Sequence, residues 1–94
     1  MNCYLMSWAR AEVARQQILD ALDKIPSVLN WRASTGAIFI VSELSANALS
    51  DEINSLVPSH VHFVLAPINI EQIHGYTDEK TWNFIRHLRR SSQK

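Results

Sequence analysis

Thr35-Gly36-Ala37-Ile38-Phe39-Ile40-Val41 joins a turn glycine to five consecutive apolar residues, three of them β-branched. A strand with one wet face alternates apolar with polar, and this stretch does not. An uninterrupted apolar strand is covered on both sides. The stretch therefore predicts an interior strand over residues 37–41, with a helix starting soon after it at Ser42-Glu43-Leu44-Ser45.

Upstream, Val28, Asn30 and Arg32 alternate with Leu29, Trp31 and Ala33, giving a strand over 28–33 that forms a hairpin with 37–41 through Ser34-Thr35-Gly36. Before it, residues 10–25 carry Ala14, Ile18, Ala21, Leu22 and Ile25 at helical spacing, closed by Pro26, which has no backbone donor. Residues 2–8 read as a first strand with large side chains on both faces.

Downstream, Ser45 is a good N-cap for a helix over 46–57, with Leu49, Ile53, Leu56 and Val57 inward. Residues 60–68 form a fourth strand, with Val61, Phe63 and Leu65 alternating with His60, His62, Val64 and Ala66. The segment around Ile68, Ile70 and Ile73 reads as a short edge strand or a loop. Thr77 caps a last helix that carries a Trp82/Ile85/Leu88 ridge and the basic residues Arg86, Arg89, Arg90 and Lys94.

The order strand, helix, strand, strand, helix, strand predicts an α+β, ferredoxin-like βαββαβ fold, a four-stranded antiparallel sheet with a C-terminal helix. Residues 1–94 form one domain, with 67–94 as a C-terminal extension. Both main helices cover one face of the sheet, so the second apolar face needs its own cover. A second copy packed sheet to sheet, with the tail helping to seal it, is expected in preference to the C-terminal helix alone. Ile38, Ile40, His62 and Val64 are the residues expected at that dimer interface.

Nine basic and nine acidic side chains give zero net charge, so no whole-molecule field draws nucleic acid or membrane. Cys3 is the single cysteine, which excludes an internal disulfide and suits a reducing cytosol. No apolar run nears the roughly 20 residues that span a bilayer, and the start lacks a secretory pattern. A cytoplasmic protein without a membrane partner is expected.

Chemistry-bearing residues are sparse. His60 and His62 share a strand face as imidazole ligands can, yet two ligands do not make a metal site and His74 would have to fold back to join them. Lining the interface or its rim is the simpler account, so no metal and no cofactor are expected. Cys3 has no acidic orienter or oxyanion turn nearby and reads as a small buried thiol. Gly36 and Gly75 are the only glycines, too few for a phosphate loop. Arg86, Arg89 and Arg90, with Arg32 and Trp31 on the hairpin, are the best nucleic-acid candidates, through phosphate pairing and base stacking. The competing account is a solvated basic helix end. Trp82 and Phe84 read as packing residues.

The layout Tyr4-Leu5-Met6-Ser7-Trp8, a helix, then Ala37-Ile38-Phe39-Ile40-Val41-Ser42-Glu43-Leu44-Ser45-Ala46 resembles a known group, as do Leu44-Ser45-Ala46-Asn47-Ala48-Leu49 and Gly75-Tyr76-Thr77-Asp78-Glu79-Lys80-Thr81-Trp82. These are the small ferredoxin-like bacterial proteins allied to the CRISPR adaptation nuclease (Cas-two-like) fold, including GhoS-type antitoxins and SinR-like proteins. The resemblance implies a homodimer of facing sheets and, in some members, nuclease activity. It also implies, in the metal-dependent nucleases, an aspartate just after the first strand, where this chain has Trp8-Ala9-Arg10. Cleavage by that metal route is therefore not expected. The first functional expectation is a noncatalytic homodimeric interaction or regulatory module with nucleic acid or a protein as a further partner. The alternative is a metal-independent endoribonuclease of the antitoxin type using Arg86, Arg89 or a histidine.

Overall fold

The computed structural model of the protein describes residues 2–9, 11–34, 36–59 and 61–92, with the side chains of 11–14 and 91–92 left out of the description. The expected roles of Arg10, Ala14, Thr35, His60 and Lys94 lie outside the described residues. The elements follow as β1 (Asn2–Trp8), α1 (Ala11–Asp23), β2 (Val28–Ala33), β3 (Ile38–Ser42), α2 (Ala46–Leu56), β4 (Phe63–Pro67), a 3-10 turn (Ile70–Gln72) and α3 (Glu79–Ser92). The four strands form one antiparallel sheet in the order β2-β3-β1-β4, an α+β arrangement compatible with the ferredoxin-like fold.

Each inner strand is apolar twice over, and the register shows how both faces are used. Tyr4 and Met6 of β1 lie beside Ile40 and Ile38 of β3, and this row is buried under α1 and α2. Helix α1 contributes Ile18, Ala21 and Leu22, as its periodicity requires, together with Leu19, which the expected stripe omitted; it ends at Asp23, and Ile25, expected as its last residue, is buried just beyond it. Helix α2 begins at the Ser45 cap, whose Oγ accepts from the Ala48 amide at 3.3 Å. Its core residues are Leu49 and Ile53, followed by Val57 at the cap beyond its last turn. Leu56, expected inward, is 44% exposed. The chain turns sharply after α2 at Pro58, and of the last two apolar residues only Val57 reaches the core.

The β3–α2 connection is tied down by polar groups that the core could not otherwise hold. Ser42, fully buried, donates to the Ser27 carbonyl at 3.0 Å and accepts from the Leu44 amide at 3.1 Å. The Tyr4 hydroxyl donates to the Leu44 carbonyl at 2.6 Å, so its ring can lie in the core with its oxygen partnered.

The opposite face forms a second cluster, and here the expected cover is corrected in part. Val41, with Cys3 and Phe39, packs against Ile70, Ile85 and Leu88, flanked by Ile73, Trp82 and Phe84. The chain's own α3 and 3-10 turn thus fill the centre of that face. A second copy cannot lie flat on it without displacing them. Burying Ile85 and Leu88 is worth about 1.5–3 kcal/mol each, enough to hold a 14-residue helix whose isolated stability would be marginal.

Candidate interaction surface on the β4 flank

With the middle of the outer face closed, two flanks remain. On the β2 side, β2 carries a bulge between Val28 and Asn30, and Arg32 is held against α3. Leu29, in the bulge, is 52% exposed. On the β4 side, Val64 is 67% exposed and Ala66 and Ser7 are also open to water. No charged residue lies in β4, whose sequence is Phe-Val-Leu-Ala-Pro.

Backbone parity identifies what the β4 edge presents. The Ala9 amide donates to the His62 carbonyl at 3.0 Å, and the Ile68 amide to the Cys3 carbonyl at 3.0 Å. Because bonded and non-bonded pairs alternate in an antiparallel ladder, the register Ser7↔Val64 and Leu5↔Ala66 continues the bonded set. Phe63 and Leu65 therefore aim their N–H and C=O groups away from β1, toward the free edge. Pro67 fits in this strand for the same reason: the donor it lacks would have pointed outward.

His62 precedes this strand and is exposed. It adjoins an open polar cleft of about 540 Å³ lined by Ser50, Asp51, Asn54 and Ser59. It also adjoins a groove of about 250 Å³ beside Ser7, Trp8 and Val64. The strand was expected from residue 60 and begins instead at Phe63; Val61, expected in it, is buried just before it. His74 lies at a different cleft, of about 230 Å³, formed by Leu5, Phe39, Ile73, Trp82 and Ile85. It does not fold back to His62. Among the described residues no group of three or more His, Cys, Asp or Glu is placed to hold a metal ion.

The sequence-selected residues do not converge on one surface. Ile38 and Ile40, expected at a dimer interface, are 0% and 1% exposed within the chain's own core; facing α1 and α2, neither reaches a second copy. His62 and Val64, from the same set, stand on the open flank. Trp31 packs toward α1, and its indole N–H donates to Asp23 at 2.9 Å. Arg32 is on the other sheet face, 3.1 Å from Asp78. Arg86 pairs with Glu79 at 3.1 Å on the exposed side of α3. Arg89 is half-buried and donates to the Ile70 carbonyl at 2.8 Å and the Ile73 carbonyl at 2.7 Å. Arg90 is exposed. Trp31 thus cannot act with the α3 arginines on a single nucleic-acid strand in one face, and Arg89 serves the fold.

Cys3 is half-buried against the second cluster, and burial pushes its thiol pKa up, away from a reactive thiolate. Sequence reasoning missed the edge groups of Phe63 and Leu65. The available signal was a short charge-free strand ending in proline, which marks an edge. No helix among the described residues is long and apolar enough to cross a membrane. Comparisons with family models, curated proteins and solved structures find no match to this chain.

Proposed function

We propose that the chain is a noncatalytic, cytoplasmic homodimeric interaction or regulatory module that assembles through its β4 flank. The observation that carries this reading is Val64, 67% exposed on a strand without charge. Natural edge strands are normally blunted by charges, proline, bulges or covering segments; β2 has a bulge and a held arginine, and β4 has neither, only Pro67 at its end. The likeness in layout to the Cas-two-like group agrees with a homodimer but suggests facing sheets, and the position of α3 speaks for a different contact. Exposed Arg86 and Arg90 give a further partner, RNA or DNA, a modest basic surface on α3.

Light scattering on the eluting chain at micromolar concentration tests the assembly. The expected mass is about 21 kDa, twice the 10.7 kDa of one chain; 10.7 kDa at every concentration would overturn the reading. A gel shift that weakens steeply with salt supports nucleic-acid contact.

The endoribonuclease reading is favoured by one observation: His62 borders a polar cleft that also contains Asp51 and Ser59. An imidazole beside a carboxylate can move a proton without a metal. RNA cleavage that persists in chelator and is lost in His62→Ala would establish it. Absence of products at low salt would leave the noncatalytic reading.

A further inference from the structure

We propose that two copies join edge to edge, β4 against β4 in antiparallel fashion, with Val64 on the two-fold axis, forming one continuous eight-stranded sheet. This rests on the homodimer reading and specifies its geometry. The edge offers the N–H and C=O groups of Phe63 and Leu65, as the ladder to β1 dictates. A two-fold through Val64 sets Phe63 of each copy opposite Leu65 of the other, so every one of those outward groups meets a partner. Shifting the axis to Leu65 sets Phe63 opposite Pro67, which has no N–H, and leaves the Phe63 amide bonded but its carbonyl without a donor.

Charge and shape agree with a second copy as occupant. A two-fold places like against like, so any charge on the strand would oppose itself across the axis. Residues 61–70 contain no Asp, Glu, Lys or Arg. In the chosen register the two Val64 side chains form a close non-bonded pair on the outer face, covering the most exposed large apolar side chain of the sheet. The half-buried Phe63 and Leu65 gain cover on the helix side. Both copies keep α1 and α2 on the same side, and α3 stays in place on the other.

Four variants test the register. Val64→Lys and Val64→Glu alter an exposed side chain, so each should fold as the parent does. Each alone should elute as the monomer, and a one-to-one mixture should restore the dimer mass by pairing opposite charges across the axis. In a Cys3→Ser background, Val64→Cys should form a covalent dimer on mild oxidation. Its two Cα atoms would lie about 4.5 Å apart, inside the roughly 4.4–6.8 Å that a disulfide spans. Ala66→Cys should stay unlinked, since each copy's residue 66 would face His62 of the other, about 13 Å along the strand from the second cysteine.

A wild-type chain that is monomeric overturns both the homodimer reading and this geometry, and leaves the edge to a strand from another protein. A wild-type dimer that survives Val64→Lys, or that links through Ala66→Cys and not Val64→Cys, overturns the geometry alone.

Discussion

Arg32 in β2 reaches across to Asp78 at the head of α3, Nη2 to Oδ2 at 3.1 Å, and so ties the hairpin to the helix that covers it. Asp78, rather than the expected Thr77, is the helix cap. Its Oδ2 accepts from the Thr81 amide at 3.1 Å, its Oδ1 from the Thr81 hydroxyl at 2.7 Å, and Thr77 donates to it from outside.

These bonds predict a pH response. The Thr81 hydroxyl and amide, then Arg32 and Thr77, hold the Asp78 carboxyl well below its ordinary value of 3.8. The folded state therefore binds fewer protons there than the unfolded chain, so the contribution is present above pH 3.8 and fades as pH falls toward the lower folded value. Thermal melts followed by circular dichroism should show the wild type losing stability faster than Asp78→Asn from about pH 5 downward. Parallel profiles for the two chains would show that the carboxylate's charge contributes nothing. The group is exposed to solvent, which keeps the gap to a few degrees in Tm.

Arg89 should matter through its fork rather than its charge. One guanidinium bridges the carbonyls of Ile70 and Ile73, fixing the 3-10 turn to α3. Hydrogen bonds to charged donors contribute about 1.5–3 kcal/mol, so Arg89→Lys, which keeps charge but not the fork, should lower stability by about 1–2 kcal/mol. Arg90→Lys, at an exposed position, should change it little. Urea unfolding of both variants checks the contrast; equal midpoints would place Arg89 outside the fold's support.

Ile85→Ala should cost about 2–5 kcal/mol, as for other buried isoleucines, since Ile85 is 1% exposed at the centre of the second cluster. The same change should speed alkylation of Cys3 by iodoacetamide, because that thiol is shielded by the cluster Ile85 fills. Tyr76→Ala, at a side chain with no burial, is the control. An unchanged Cys3 rate in Ile85→Ala would mean that α3 does not guard this face.

Much of this fold was legible because its elements announce themselves locally. The strands at Asn2–Trp8 and Val28–Ala33 and the Ser45 cap stand where alternation, apolar runs and capping chemistry put them. That the outer face needs a cover was also readable, from Phe39 and Val41 alternating with Ile38 and Ile40. What covers it was not. A Trp82/Ile85/Leu88 ridge docks equally well by pattern on its own sheet or a neighbour's, and only the path through the 3-10 turn decides. The same limit assigned Ile38 and Ile40 to the wrong face, because alternation separates two faces without saying which one meets the helices. Arg89 read as a basic helix end for a related reason: its carbonyl partners lie 16 and 19 residues away. The open flank was the least legible part, since it consists of backbone groups that every sequence possesses.

Amide hydrogen exchange at Phe63 and Leu65 bears most directly on assembly through β4. Their N–H groups point away from β1, so only a strand added at the edge can bond them. The account predicts that both amides are protected at concentrations where the chain is dimeric, comparably with Val64 and Ala66, and that protection falls on dilution. Fast exchange at Phe63 and Leu65 at every concentration, alternating with slow exchange at Val64 and Ala66, would contradict it.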